Sequence, residues 1–371
     1  VFIMSKRKTA PTPDFLLIVI ILSLLVIGLI MVYSASSAWA MYKFQDSFYF
    51  AKRQLLFAGI GVLAMFFTAT IHYMVWKKYA NILLISCFAL LILVLIPGIG
   101  LVRNGAQSWI GVGAFSIQPS EFIKFALLCY LAKYCEAHRT EMPTLKKGLF
   151  PTLGLVFLAF ALIMLQPDLG SGAVLVGTCM VVIFIAGVAI RHYVMLGFIG
   201  VIGFVVLVLS APYRMERITS YLDPWSDPLG SGFQMIQSLY AIGPGGFFGL
   251  GLGESRQKYF YLPEPQTDFI FAIISEELGF FGGALIIILF FLLLWRGIRI
   301  ALGAPDMFSS LLAAGIITMV TLQATINIGV VTGLFPVTGI TLPFLSYGGS
   351  SLTLILATVG VLLNISKYSK I

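Results

Sequence analysis

The sequence predicts an all-α polytopic membrane protein with ten transmembrane helices and a large extracellular loop between helices 7 and 8. The chain has 371 residues, of which 59% are hydrophobic and only 10% charged, and its mean hydropathy is +1.01. Soluble globular chains are roughly 45–50% apolar and about 25% charged. So few charges cannot cover a water-facing surface, which excludes soluble enzymes and disordered, fibrous or secreted disulfide-rich proteins.

Ten apolar runs come close to the length of about 20 residues that a spanning helix needs. The predicted spans are 15–34, 54–71, 80–97, 120–134, 150–166, 171–190, 193–210, 268–295, 308–334 and 343–365. The fourth span is the least apolar, because Glu121 and Lys124 lie in its first turns. We therefore predict one membrane domain over 1–371, with residues 211–267 forming the extracellular loop.

Lysine and arginine predict the orientation of these spans. Most of the 23 basic residues lie before span 1, after span 10, or in the turns that follow spans 2, 4, 6 and 8. By the positive-inside rule this side is cytoplasmic, together with both termini. The same asymmetry accounts for the net charge of +8, so membrane lipids and not nucleic acid are the predicted surroundings. The three histidines, His72, His138 and His192, fall on cytoplasmic turns, which leaves none for chemistry outside.

Polar residues collect on the predicted outer side. Residues 211–267 are rich in Gly, Pro, Trp and Tyr and carry most of the external carboxylates. A segment this long without an obvious helical period is uncommon unless it is functional or disordered, and its aromatic residues favour a folded cap on the membrane. A second external segment, 103–111, begins at Arg103 and is centred on Trp109.

The start of span 4 carries an ionisable pair. Residues 118–121 read Gln-Pro-Ser-Glu, which predicts a helix start with Ser120 as its cap. Lys124 follows Glu121 at i+3, so both lie on one face of the helix. They form either a local ion pair that closes the helix end or a site, since ionisable groups inside a span are costly and often functional.

Two further span ends allow two interpretations each. Asp168, in the turn 166–170, either caps the following helix or binds a cation or a sugar hydroxyl. Ser346 opens the small-residue segment 346–351 inside span 10. That segment either allows close helix packing or lines a site for a lipid or a pyrophosphate.

Asp268 is the strongest candidate for catalysis. It follows Gln266 and Thr267 at the start of the eighth span, where a carboxylate can simply cap a helix. Alternatively, it lies where the polar loop meets the bilayer, at the depth of a lipid-linked head group. Burial there would raise its pKa towards that of a general base. Glu276 and Glu277 continue into the span, so they must face protein or water.

Five segments, taken in order, resemble the SEDS family (shape, elongation, division and sporulation), whose members include FtsW, RodA and SpoVE. The matching segments are 103–111, 118–121, 166–170, 262–271 and 346–351. The resemblance covers essentially the whole chain, and residues 336–344 look more like the FtsW and SpoVE branch than RodA. One departure is Gln266, where many members carry histidine, so Asp268 lacks a histidine partner.

The resemblance implies a peptidoglycan glycosyltransferase that polymerises lipid II at the outer face of the bacterial cytoplasmic membrane, for a division septum or spore cortex. Asp268 matches the family's essential aspartate, which deprotonates or orients the acceptor hydroxyl. Also implied are a divalent cation, Mg²⁺ or Mn²⁺, near the pyrophosphate and a class B penicillin-binding protein as partner. The residues expected to bind substrate or support the site are Arg103, Trp109, Glu121, Lys124, Asp168, Gln266, Thr267 and Ser346.

A lipid II flippase is the alternative from a different class. A flippase needs a charged path that reaches the cytoplasmic half of the membrane, whereas the enzyme needs its essential groups outside. Asp168, Asp268 and the loop carboxylates lie on the predicted outer side, and Glu121 and Lys124 lie near it. This distribution favours the enzyme, and a pure scaffold would leave the outer polar clusters unexplained.

Overall fold

The computed structural model describes residues 12–103, 106–112, 115–210, 212–230 and 232–370, and these residues are mostly helical. The α-helices are α1 (Phe15–Phe44), α2 (Tyr49–Thr70), α3 (Met74–Val94), α4 (Pro119–Ala137), α5 (Phe150–Met164), α6 (Leu169–Ile185), α7 (Ile190–Leu209), α8 (Pro212–Leu222), α9 (Phe233–Gly245), α10 (Ile270–Leu302), α11 (Met307–Val331) and α12 (Gly349–Ser366). A π-helical turn, Leu145–Leu149, precedes α5, and a 3-10 turn, Pro224–Ser226, follows α8.

Every predicted span coincides with one of these helices, namely α1 to α7 and α10 to α12. Seven helices within the described ranges are long and apolar enough to cross a membrane: α1, α2, α3, α5 with its π-helical turn, α10, α11 and α12. α6 and the first part of α7 are apolar but shorter. α4 belongs to neither group, because it carries Glu121, Lys124, Lys133 and Glu136. The protein is therefore a multi-pass membrane protein, and the count of ten crossings stays a prediction.

Close packing between α2 and α12 holds the two ends of the chain together. Gly360 lies so near α2 that an added Cβ would overlap the main chain at Met65 and the hydroxyl of Thr68. That hydroxyl donates a hydrogen bond to the carbonyl of Ala357 at 2.7 Å. Small residues and hydroxyl groups that let backbones approach are typical of helix packing inside a membrane.

The predicted extracellular loop, 211–267, is partly helical in its described residues. α8 and α9 both lie within it, whereas the sequence suggested no helical period there. α9 packs on the end of α11, where the Ser238 hydroxyl donates to the Val331 carbonyl at 2.8 Å. Tyr221, at the end of α8, donates to the Leu334 carbonyl at 3.0 Å. These bonds place the loop against the end of α11, next to the segment that leads to Asp268.

α10 is broken at Gly279, whose φ of 66° and ψ of −161° lie outside the helical region. The main-chain carbonyls of Glu276 and Glu277 accept hydrogen bonds from the amides of Leu250 and Gly251, each at 3.0 Å. After the break, the Phe280 amide donates to the Gly246 carbonyl at 2.8 Å. The segment 246–251 thus replaces the helical bonds that the break removes.

A buried cluster of charged and hydroxyl groups, which we call the Glu277 cluster, lies just before this break. It consists of Ser34, Ser255, Lys258, Glu276 and Glu277. The Lys258 ammonium lies 3.2 Å from Glu277 Oε1, with side-chain exposures of 4% and 0%. The Ser34 hydroxyl donates to Glu277 at 2.7 Å, and the Ser255 hydroxyl donates to Glu276 at 2.5 Å. The prediction that both glutamates face protein or water is confirmed, and the groups that they contact are protein groups.

A small antiparallel meander stands between α3 and α4. It consists of β1 (Leu101–Arg103), β2 (Ala106–Val112) and β3 (Phe115–Ile117), in the order β1-β2-β3. Trp109 pairs with Leu101 in β1, and Ile110 pairs with Ile117 in β3. The meander ends at Ile117, and only Gln118 separates it from the start of α4.

Candidate active site

One cavity of about 770 Å³ brings the five sequence segments together. Its volume falls in the range of roughly 300–1,000 Å³ that is usual for ligand pockets. Each segment contributes to the wall, and its described lining includes Ser108, Trp109, Gln118, Glu121, Pro167, Asp168, Glu264, Thr267, Asp268, Tyr347, Gly349 and Ser350. The motifs that are separate in the sequence therefore form a single site.

Most of the predicted site residues line this cavity. Those in its wall are Trp109, Glu121, Lys124, Asp168, Thr267 and Asp268. Gln266 and Ser346 are buried just behind the wall. The side chain of Arg103 lies outside the described residues.

Asp268 lies two residues before α10 and does not cap it. The residue at the cap position is Phe269, and no side chain there bonds the first turn, so the cap interpretation of Asp268 is wrong. Its carboxylate instead accepts a hydrogen bond from the Thr267 hydroxyl at 2.6 Å. Burial raises the pKa of the Asp268 carboxyl above its usual range, and the Thr267 bond opposes part of that rise. A partly exposed carboxylate with a raised pKa in a cavity wall is suited to accept a proton.

Ser346 and Gln266 support the backbone that carries Asp268. The Ser346 hydroxyl donates to the Thr267 carbonyl at 2.5 Å and accepts from the Leu342 amide at 2.7 Å. The Gln266 side chain is only 4% exposed, and its Oε1 has no hydrogen-bond partner within the described ranges. The position that many family members fill with histidine is thus buried behind the cavity wall.

Glu121 and Lys124 form an ion pair and line the cavity as well. Lys124 Nζ lies 2.7 Å from Glu121 Oε1, with side-chain exposures of 4% and 8%. Lys124 Nζ also donates to Gln323 Oε1 at 3.4 Å, and Gln323 Nε2 donates to the Thr341 carbonyl at 3.1 Å. The ion-pair interpretation is therefore confirmed. A direct role of the pair in a site stays a prediction, and its support is that both residues line the cavity.

The prediction that Ser120 caps α4 is wrong. α4 begins at Pro119, with Gln118 at its cap position and no side-chain capping bond. Proline suits the first helical position, because its missing N–H would be unpaired there anyway. The Ser120 hydroxyl is buried inside the helix and lacks a partner among the described residues.

Asp168 caps α6, as one of its two interpretations predicted. Its Oδ1 accepts from the Ser171 amide at 3.0 Å, and its Oδ2 accepts from Gln118 Nε2 at 2.9 Å. The carboxylate therefore ties the start of α6 to the start of α4. Asp168 does line the cavity, but both of its carboxylate oxygens already accept hydrogen bonds from donors within the protein.

Arg53 and Gly339 were not predicted for the site. Arg53, on α2, lines the cavity, and its guanidinium lies 4.4 Å from the centroid of the Tyr49 ring. Gly339 lines it with φ at +71°. A cation one turn inside an apolar helix is a sequence signal that could have identified Arg53, whereas no local pattern marks Gly339.

The chain matches the family model of the cell cycle proteins FtsW, RodA and SpoVE over residues 15–371. It is 68% identical over 367 residues to stage V sporulation protein E of Bacillus subtilis (strain 168), covering 99% of this chain and 100% of that protein. It is 45% identical over 353 residues to the probable peptidoglycan glycosyltransferase FtsW of Geobacter sp. (strain M18), covering 95% and 96%.

Solved structures show the same fold. A chain of a peptidoglycan synthase complex that coordinates polymerization and crosslinking superposes with a TM-score of 0.79 at 32% identity, over 96% of this chain and 98% of that one. The Thermus thermophilus rod shape determining protein RodA superposes with a TM-score of 0.71 at 29% identity, over 97% and 98%.

Proposed function

The chain belongs to the FtsW/RodA/SpoVE family of cell cycle proteins, and from this membership we propose that it is a peptidoglycan glycosyltransferase that polymerises lipid II into glycan strands. The observation that carries the proposal is the Asp268 carboxylate. It faces the cavity in which all five family segments meet and has no capping role. The identity to a stage V sporulation protein and to FtsW proteins supports a role of this activity in the spore cortex or the division septum.

In the proposed reaction, the 4-hydroxyl of an acceptor GlcNAc attacks C1 of a donor MurNAc. The bond from C1 to the undecaprenyl pyrophosphate oxygen breaks, and the Asp268 carboxylate accepts the hydroxyl proton. Burial raises the pKa of the Asp268 carboxyl, which strengthens its carboxylate as a base. The pyrophosphate would lie near Arg53 and the first residues of α12, Gly349–Ser351, which line the same cavity and offer positive charge.

The helix ends around the cavity support the enzyme over a flippase. α2, α4, α6 and α12 contribute residues near their first turns, and α11 contributes Gln323 towards its last turns. All of these ends are predicted to be outside by the distribution of basic residues. We therefore propose that the cavity faces outwards and that both termini are cytoplasmic. A reporter fused near Asp227 should then read as external, and one after Lys370 as cytoplasmic.

We propose that a divalent cation would bind together with the substrate and not to the protein side chains alone. Within the described part of the chain, no group of three or more His, Cys, Asp or Glu side chains could hold a metal ion. Mg²⁺ is commonly bound by one or two carboxylates plus substrate phosphates. Such an ion would offset charge that develops on the leaving pyrophosphate.

A class B penicillin-binding protein is the proposed partner. Its support is the similarity of this chain to a chain of a peptidoglycan synthase complex. The transpeptidase of such a partner would crosslink the strands that this protein makes.

The test is polymerisation of lipid II by the purified protein with its partner, comparing wild type with Asp268→Asn. Asparagine keeps the size of the side chain but cannot accept the proton, so the rate should fall roughly 10²–10⁴-fold. The matched control is Asp168→Asn, which changes another carboxylate in the same cavity. Asparagine caps helices well, so this control should keep most of its activity.

Asp268→Asn should still accumulate in the membrane and bind the partner. A near wild-type rate for this variant would exclude Asp268 as the base. Lipid II translocation by wild-type protein in vesicles, unaffected by Asp268→Asn and without any glycan product, would instead establish the flippase.

A further inference from the structure

Three consecutive main-chain carbonyls, those of Gln266–Asp268, are held by donors from distant parts of the chain. The first accepts from the Tyr347 amide at 2.8 Å. The second accepts from the Ser346 hydroxyl at 2.5 Å, and the third accepts from Asn327 Nδ2 at 2.7 Å. This turn precedes α10 and lacks helical bonds of its own, so these donors decide where it lies.

Asn327 makes the most distinctive of these bonds. It lies on α11, is 1% exposed, and its Nδ2 also donates to the Ile340 carbonyl at 2.6 Å. Its Oδ1 has no partner within the described ranges, which is costly for a buried acceptor. What the side chain contributes is therefore two N–H groups on one atom, directed at two carbonyls. Serine and threonine supply only one donor, and an ionised aspartate supplies none.

The hydrogen bond between the Asp268 carboxylate and the Thr267 hydroxyl does not connect Asp268 to any surrounding helix. That bond comes from the neighbouring residue, so it moves with the turn and cannot fix the turn relative to α11 or α12. The position of the carboxylate in the cavity wall thus depends on the main-chain bonds to Asn327 and Ser346. Asn327 is absent from the cavity lining, so its effect on the reaction passes through Asp268.

We propose that Asn327 is a positioning residue, which places the Asp268 carboxylate by holding its main-chain carbonyl against α11, with Ser346 holding the preceding carbonyl. The inference rests on the proposed role of Asp268 as the base. Since a displacement of about 1 Å at a reacting group can reduce the rate about 10²-fold, loss of this bond should affect turnover more than substrate binding.

Asn364 provides a matched control in the same molecule. It lies on α12, is 1% exposed, donates through Nδ2 to the Ala69 carbonyl at 2.9 Å, and accepts from the Tyr73 amide at 2.9 Å. It therefore resembles Asn327 in burial and in bonding to two backbone positions, but its partners lie at the end of α2 and the start of α3, far along the chain from Asp268.

The experiment compares Asn327→Leu with Asn364→Leu in two measurements on purified protein with its partner. In lipid II polymerisation, Asn327→Leu should lower kcat about 10- to 100-fold with KM unchanged. Asn364→Leu should keep the wild-type kcat per folded molecule. In hydrogen exchange, the peptide over 262–271 should exchange faster in Asn327→Leu and not in Asn364→Leu.

Asn327→Gln keeps both N–H groups and should recover part of the lost kcat. If Asn327→Leu fails to fold, Ser346→Ala takes its place, because it removes the donor to the Thr267 carbonyl. Unchanged exchange over 262–271 would overturn the inference, and so would faster exchange with a wild-type kcat. A wild-type protein that makes no glycan would refute the proposed function instead. The exchange data would then still decide whether Asn327 holds the turn.

Discussion

The Cα of Gly339 faces the carboxylate of Asp268. A Cβ built on Gly339 would lie 3.9 Å from Asp268 Oδ2, and no other described atom outside its immediate chain neighbours would come within 4 Å of it. The open space beside the carboxylate is therefore kept free by the absence of a side chain. In the proposed reaction, this is a direction from which an acceptor hydroxyl can approach the base.

Gly339→Ala should lower the rate of lipid II polymerisation by more than its loss of stability explains. The methyl group would occupy the space beside the carboxylate, and the φ of +71° would strain alanine by about 1–2 kcal/mol. The control is Gly333→Ala, which has a similar φ of +80° but faces Met235 and Leu239. Both variants should lose similar Tm. Equal activity in the two would show that the space beside Asp268 is not used.

The acid limb of the pH–rate profile should lie above the usual carboxyl pKa of about 3.9. Burial raises the pKa of Asp268, and its hydrogen bond from Thr267 lowers it. A base works in its ionised form, so kcat should fall as the pH drops through this raised value. Thr267→Val removes the opposing bond and should move the acid limb to higher pH. A limb that moves to lower pH, or stays in place, would contradict this assignment.

The same shift makes a prediction about stability. The folded protein holds the Asp268 proton more tightly than the unfolded chain does, so the favourable contribution exists at low pH and is lost as the pH rises through the raised pKa. Asp268→Asn removes that loss, so its Tm at neutral pH should equal or exceed the wild-type value. A clearly lower Tm would indicate a structural role that the geometry does not show.

Exchanging the charges of Glu121 and Lys124 should retain more folded protein than either single alanine change. Both side chains are nearly buried, and one partner left alone in such a place is destabilising by roughly 3–5 kcal/mol. The exchanged pair should nevertheless lose activity, because a glutamate at 124 cannot donate to Gln323 Oε1. Membrane accumulation and glycan yield are the two readouts. Wild-type accumulation of both single variants would refute a stabilising pair.

Lys258→Met should lower Tm strongly, and adding Glu277→Gln should restore part of the loss. The single change leaves Glu277, which is fully buried, without its cation, whereas the double change removes both members of the pair, so that the charge on Glu277 is no longer left unpaired. The matched control is Lys52→Met, which breaks an exposed pair with Asp46 and should hardly move Tm. If both lysine changes have the same effect, the Glu277 cluster contributes no more than a surface pair.

The sequence predicted the positions of the membrane helices well, because apolar runs are a local signal. It placed the end of α1 about ten residues too early, near 34, since it could not show that Ser34 meets Glu277 inside the protein. It also missed the meander, although Asn-Gly at 104–105 is a strong hairpin signal. The end of α1 thus depended on a distant partner, whereas the meander carried a local signal that was not used.

The sequence predicted most of the residues that line the candidate site, but it did not predict what each of them does there. Asp168 and Asp268 have similar settings in the sequence, each before an apolar run, yet one caps a helix and the other does not. Asn327 lies 59 positions from the carbonyl that it binds. A lone asparagine within an apolar span is costly and could have been marked as functional for that reason, but its partner depends on the tertiary fold.

The break at Gly279 divides α10 into an apolar part after the break, which suits insertion into the bilayer, and a part before the break that carries acidic residues. After the break, residues 280–295 form an unbroken apolar helical run about 24 Å long, whereas Asp268, Glu276 and Glu277 all precede the break. A charged residue at the centre of an inserting helix opposes insertion by about 2.5–3.5 kcal/mol. The downstream half can therefore be recognised and released into the bilayer by the insertion machinery without the acidic residues. The upstream half can then fold against α1 and Lys258 in a later step of biogenesis.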